Sequence, residues 1–206
     1  PPPMTEEEAA EKLGPEVEKL KWRNNPWHDK TQYVSVGWAG KIEYLVDRQV
    51  VEADLRIVIS AVCPHLQAGF GGGFKMIFPG CSHLATIRPL HRLGLTRRPK
   101  QMVGTEAEKN AMRTAIDAGG KLLDAYHGVT FAVHYMLDDD RPVHIGAGDP
   151  ISTQRMLAKQ CSIACGIITP APLADVLITN AFPRDFDLWQ SFKAVANTRW
   201  AARPGG

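Results

Sequence analysis

One stretch constrains the fold more than any other. Asp54-Leu-Arg-Ile-Val-Ile-Ser-Ala-Val62 runs through Cys63-Pro64-His65 into the glycine-rich Gly69-Phe-Gly-Gly-Gly73. Branched side chains are stiff at χ1 and pack well on a pleated surface, so the first part predicts a strand of the buried kind found in α/β sheets. A strand of such a sheet that ends in a glycine-rich turn is where α/β folds place ligands. The expectation is an α/β protein with its site just beyond residue 62.

The remaining segments alternate in the same way. Thr5 and Glu8 form a capping box for a helix over 5–20, interrupted at Gly14-Pro15. Short strands are expected at 33–36 and 42–46, a short helix at 74–78 stopped by Pro79-Gly80, and a helix at 82–93 interrupted by Pro89. Thr105 with Glu108 predicts a second capping box, for a helix running to Gly119-Gly120. Strands at 129–137 and 141–145 flank Asp138-Asp139-Asp140, which reads as a hairpin turn rather than a magnesium site. Asp149-Pro150 starts a helix reaching about Cys165, residues 175–179 read as a second buried strand, and 188–202 as a closing helix. A boundary near Pro170-Ala171-Pro172 divides the chain into 1–169 and 170–206.

Composition narrows the function. With 206 residues, 44% hydrophobic, 22% charged and a net charge of +2, the chain is neither disordered nor basic enough for a nucleic-acid or polybasic membrane partner. No apolar run approaches the roughly 18 residues of a membrane helix. Cys63, Cys81, Cys161 and Cys165 form neither a disulfide framework nor a C-x-x-C zinc pattern, which points to a reducing, cytoplasmic setting.

The glycine loop fails both common nucleotide fingerprints. A Walker loop needs G-x-x-x-x-G-K-[ST], and here Phe74-Lys75-Met76 lacks the last glycine and the hydroxyl. The dinucleotide G-x-G-x-x-G fails because Phe74 takes the place of the third glycine. What remains is a backbone able to approach an anion closely, beside a lysine. His65, Lys75 and His91 can converge on one cleft, where histidine serves as base or metal ligand and lysine as covalent anchor. His28, His83, His127, His134 and His144 read as structural or surface residues, His134 and His144 as strand edge or face positions. Gln190 and Lys193, three apart on a helix, could hold a carboxylate or form a solvated face. Cys161 and Cys165 read as buried small residues.

Taken together, several motifs resemble the nickel-pincer lactate racemase family. They are Val51-Glu-Ala-Asp-Leu-Arg-Ile-Val-Ile, the segment Pro64-His65-Leu-Gln-Ala-Gly-Phe-Gly-Gly-Gly-Phe-Lys75-Met-Ile-Phe-Pro-Gly80, and His91 sixteen residues after Lys75. Ala147-Gly-Asp-Pro150 and Gln190-Ser-Phe-Lys193 extend the likeness over nearly the whole chain. The resemblance implies two Rossmann-like α/β domains, both incomplete in this chain, with a cofactor in the cleft between them. It implies a racemase or epimerase of a lactate-like 2-hydroxy acid. The cofactor would be a nickel-pincer nucleotide, pyridinium-3,5-bisthiocarboxylic acid mononucleotide nickel, bound covalently to Lys75. Gly71, Gly72, Gly73 and Trp189 would also contact it, His91 would complete nickel coordination, His65 would be one of two catalytic bases, and Gln190 and Lys193 would bind substrate. Proteins that make the cofactor would be partners.

The chain also departs from that pattern. The family's second histidine and an Asp/Arg motif are expected upstream of residue 1, so these residues read as an interior part of a longer chain, inactive alone. Gly71 stands where serine is usual and Trp189 where tyrosine is common. Two other readings stay open: an inactive homologue or binding module of the same fold, and an enzyme whose Lys75 forms a Schiff base with pyridoxal phosphate.

Overall fold

The structure is a computed structural model that describes residues 3–95, 103–138, 141–165, 172–182, 185 and 188–205. Helix α1 (Glu6–Leu13) starts at the expected capping box: the Glu8 amide donates to Thr5 Oγ1 at 3.2 Å, and the Thr5 amide to Glu8 Oε2 at 2.8 Å. Gly14, at φ +75°, ends it, and Pro15–Lys19 follows as a 3-10 turn. Strands β1 (Tyr33–Ala39) and β2 (Ile42–Asp47) form an antiparallel hairpin, which leads into the short helix α2 (Arg48–Val51).

The central sheet holds β3 (Leu55–Ala61), β6 (Val129–Asp138) and β7 (Arg141–Gly148) in the order β3-β6-β7. β3 and β6 are parallel, from Leu55 opposite Val129 to Ala61 opposite Tyr135, whereas β6 and β7 are antiparallel. Between β3 and β6 the chain forms β4 (Pro64–His65), β5 (Gly69–Phe70), α3 (Leu84–Leu93) and α4 (Ala111–Tyr126). Helix α5 (Pro150–Ala164) packs on β6 and β7, and α6 (Leu188–Thr198) lies near the C-terminus. This is a mixed α/β fold. No helix among the described residues is long and apolar enough to cross a membrane.

Several sequence expectations are corrected. β3 is buried on one face only: Arg56 and Val58 point inward while Leu55, Ile57 and Ile59 are exposed, because nothing among the described residues covers that face. The helix expected at Thr105 begins at Ala111 instead, capped by Asn110, whose Oδ1 accepts from the Arg113 amide at 2.9 Å, and it runs through Gly119-Gly120 to Tyr126. Pro89 sits inside α3 without ending it, and residues 74–78 form a 3-10 turn over Gly73–Met76 rather than a helix. Residues 175–179 form no strand. Val176 is 76% and Ile178 92% exposed, and without a partner strand among the described residues, branched residues alone do not make a strand. Ala174 instead makes a single bridge to Ala202, and Arg203 pairs with Asp175 at 2.7 Å. Asp139, Asp140, Pro170 and Ala171 lie outside the described residues, so the expected turn and boundary fall there.

The core gathers Tyr44, Val46, Phe74, Phe78, Leu90, Met112, Ile116 and Leu123. Tyr44 and Phe78 meet edge to face at 5.2 Å, and the Tyr44 hydroxyl donates to the Ala115 carbonyl at 2.7 Å. The two glycines inside α4 are notches for these rings: a Cβ on Gly119 would lie 2.4 Å from the Tyr44 ring, and one on Gly120 would lie 2.1 Å from Phe74. Phe74 is thereby pinned against α4, which sets the 3-10 turn that carries Lys75. In an exposed helix Gly→Ala gains up to about 1 kcal/mol. Here the sign reverses, because the new methyl group overpacks the core; Gly120→Ala is expected to cost about 1–3 kcal/mol, read as a lower denaturant midpoint.

Candidate functional site

The site is built where β3 ends. β4 and β5 pair antiparallel, with His65 opposite Gly69 and Pro64 opposite Phe70, so His65 is folded back onto the glycine loop. Gly72 and Gly73 lie at φ +76° and +64°, a region that side-chain-bearing residues rarely adopt. A Cβ on Gly72 would also stand 2.8 Å from Val62 Cγ2. From this loop the 3-10 turn sends Phe74 into the core and leaves Lys75 half-buried at the site.

Side chains from three elements hold the loop backbone. From α4, the Arg113 guanidinium donates through Nη1 to the Gly72 carbonyl at 3.0 Å, and through Nη2 to the carbonyls of Phe70 and, at 3.5 Å, Gly71. Gln154 of α5 donates to the Gly71 carbonyl at 3.2 Å. His134 of β6, fully buried, accepts the Gly73 N–H on Nε2 at 2.7 Å. Just before α4, Asn110 donates to the Gln67 carbonyl at 3.0 Å. None of these four stood out in the sequence, and His134 is corrected from an exposed strand position to a buried acceptor. The signal was there in the period-2 pattern, since Thr130, Ala132, His134 and Met136 all face inward. His144, by contrast, is exposed as expected.

The two site histidines carry their lone pairs on opposite nitrogens. His65 Nδ1 accepts from the amides of Gln67 at 3.1 Å and Ala68 at 3.0 Å, so the proton of the neutral ring sits on Nε2. His91 Nδ1 lies 2.9 Å from the Ile87 carbonyl one turn back in α3. A carbonyl can only accept, so His91 carries its proton on Nδ1 and its lone pair on Nε2. An imidazole held this way is arranged as metal ligands usually are. Among the described residues no three of His, Cys, Asp and Glu gather into a metal site of their own.

Positive charge dominates the cleft. Burial first, then Lys75, Lys193, Arg113 and His91, push His65 down to about 3, which keeps it neutral. Burial, then Arg113 and Lys193, pull Lys75 down to about 8, with Cys63 acting in the opposite direction. Burial also lowers His134, with Arg113 adding to the effect. Arg113 itself falls to about 10 through burial, so it stays charged at neutral pH. Lys193 donates to Gln190 Oε1 on α6, and Trp189 precedes Gln190 on the same helix. The structure thus brings His65, Lys75, His91 and Lys193 into one electrostatic neighbourhood beside Gly71, Gly72 and Gly73. Such a cleft suits an anionic ligand and a lysine that reacts as the free amine.

Known proteins are similar to this chain in sequence and fold. A profile of the lactate racemase N-terminal domain matches residues 2–104. The lactate racemase of Thermoanaerobacterium thermosaccharolyticum is 29% identical over 171 residues, covering 81% of this chain and 38% of that protein. The lactate racemase of Lactiplantibacillus plantarum is 25% identical over 217 aligned positions, covering 99% of this chain and 48% of that one. This chain therefore spans less than half the length of either relative. The structure of the Thermoanaerobacterium thermosaccharolyticum lactate racemase apoprotein superimposes with a TM-score of 0.84 at 25% identity, over all of this chain and 49% of that one. A Thermotoga maritima protein shares the fold, with a TM-score of 0.69 at 17% identity over 84% of this chain and 46% of that chain. With half of its residues matched by the family profile, the chain belongs to the lactate racemase family.

Proposed function

We propose that these residues carry the cofactor anchor and part of the substrate site of a 2-hydroxyacid racemase or epimerase, with lactate the leading substrate. One observation carries the reading: a half-buried lysine, lowered toward the neutral amine, follows a glycine loop that five polar contacts hold, and His91, with its lone pair on Nε2, acts with that lysine on His65.

A nickel-pincer nucleotide fits these donors. The Lys75 amine would anchor it through a thioamide, Gly71, Gly72 and Gly73 give it backbone without side chains, and Trp189 lies on the helix that carries Gln190 and Lys193. His91 offers one nitrogen, which suffices for a metal whose other ligands belong to the cofactor, and which explains why no protein cluster of three metal ligands is needed. When bound, the group supplies an electron-poor acceptor that can take the substrate C2 hydrogen with its electron pair, avoiding a carbanion beside a carboxylate.

The protein's own groups do the rest. Lys193, with Gln190 oriented beside it, would bind the substrate carboxylate. His65 would exchange a proton with the substrate hydroxyl oxygen. As folded, it presents an N–H at Nε2; to accept a proton there, the neutral ring must first move its proton from Nε2 to Nδ1, which releases the Gln67 and Ala68 amides. Loading of Lys75 would need the proteins that make and deliver the cofactor.

Three outcomes are expected. The intact encoded protein, coexpressed with cofactor-making proteins, should yield a Lys75 peptide of increased mass and about one nickel per chain. An unmodified Lys75 and no nickel would exclude the reading, and a borohydride-trapped pyridoxyl group on Lys75 would replace it with the Schiff-base alternative. His65→Ala should lower kcat by about two to four orders of magnitude, and an unchanged rate would remove His65 from the chemistry. The third outcome concerns pH. His65 and His134 are lowered from 6.5, so the folded state binds fewer protons than the unfolded one. Their contribution to stability is complete above that value and is lost as pH falls toward 3. The thermal midpoint of the cofactor-free protein should therefore drop from pH 7 to pH 5, and less steeply in His65→Ala.

A further inference from the structure

We infer that Arg113 is the positioning residue of Lys75: it ties the loop carbonyls that lead into the lysine and stands a permanent positive charge near its amine. The inference rests on Lys75 being the covalent anchor, the reading given above. Three features support it.

The first is geometry. The guanidinium reaches the carbonyls of Phe70, Gly71 and Gly72, three consecutive residues that end two positions before Phe74, the ring that locks the turn. A planar fork with five N–H groups can serve several carbonyls at once, which the single ammonium of lysine cannot do in the same geometry. The second is burial. Arg113 is 1% exposed, so its charge is weakly screened by water, and Asp117 Oδ1, at 3.9 Å and one helical turn on, only partly offsets it. Asp117 is itself shared with Arg155. The third is electrostatic: among the charges that act on Lys75, Arg113 is the largest.

The groups around Lys75 come from three elements and one loop. Arg113 of α4 and Lys193 of α6 favour the neutral amine, and the thiol of Cys63, after β3, opposes them. His65 of β4 is held neutral and adds no charge. Of the two cations, only Arg113 is buried and bonded to the loop, so it ties reactivity to loop shape.

The test is competitive acetylation of Lys75 in the cofactor-free, intact encoded protein with trace acetic anhydride between pH 6 and 10. The amine nitrogen attacks an anhydride carbonyl, a C–N bond forms, a C–O bond breaks, acetate leaves and the amine proton passes to water. Hydroxylamine then clears acetyl groups from thiols and hydroxyls, and the Lys75 peptide is quantified by mass. The wild-type midpoint should lie near 8. Arg113→Met should raise it toward the ordinary lysine range and lower labelling at pH 7 by about tenfold, the equivalent of about one pKa unit. Arg113→Lys keeps the charge and should keep a low midpoint. It should also lose the hydrogen-exchange protection of the Gly73 amide, because the fork is gone. A folded Arg113→Met protein with the wild-type midpoint overturns the inference, as does a wild-type midpoint in the ordinary range.

If Arg113→Met does not fold, Asp117→Asn decides. Removing the partial counter-charge should lower the Lys75 midpoint, and an unchanged midpoint overturns the assignment. The readout needs no cofactor, so the two failures are distinguishable: a low, Arg113-dependent midpoint in a protein that never acquires the adduct would reject the proposed function and leave only the coupling of Arg113 to the Lys75 amine.

Discussion

The buried guanidinium of Arg113 is the interaction on which the site depends. A charge almost wholly removed from water must be met by acceptors, and here the acceptors are main-chain carbonyls of a glycine turn that could not pair them with each other. A carbonyl left buried without a donor costs about 1–3 kcal/mol, so the loop carbonyls and the two terminal guanidinium nitrogens satisfy each other's requirement. His134 closes the remaining end by accepting the Gly73 amide, and Gln154 supplies a second donor to Gly71. The turn then has one shape. Phe74 enters the notch at Gly120, and the next residue along the chain is the reactive lysine.

Much of this was legible in the sequence, for local reasons. A branched run ending in glycines predicts a strand and a turn whatever surrounds it, and the spacing of His65, Lys75 and His91 carries the family likeness by itself. The rest was not legible, because it depends on partners far along the chain. Whether Leu55, Ile57 and Ile59 are buried depends on what covers the sheet, not on their own branching. The 175–179 run has strand composition but pairs with no strand among the described residues. Asn110 and Thr105 are both good caps, and the choice between them is made by tertiary contacts: Asn110 also reaches the Gln67 carbonyl with its amide. His134 looked like any strand histidine until the inward face of β6 was known.

The two imidazoles show how little chemistry residue type alone specifies. His91 and His65 are electrostatic neighbours, yet a helix carbonyl sets the tautomer of the first and two turn amides set that of the second. One is left with a free lone pair on Nε2 and the other with a proton there. A ligand that needs both a donor nitrogen and a hydrogen-bond donor finds the first on His91 and the second on His65, whose ionisation burial and the surrounding positive charge resist.

The order of these contacts along the chain has a consequence for biosynthesis. The loop at 69–73 leaves the ribosome well before its holders at 113, 134 and 154, the last of them 154 − 73 = 81 residues later. At about 5–20 residues per second that interval is about 4–16 s. Throughout it the loop carbonyls bond to water and Lys75 is an ordinary solvated ammonium. The burial and the Arg113 charge that shift the amine toward its free form follow only once these later segments have folded around the loop.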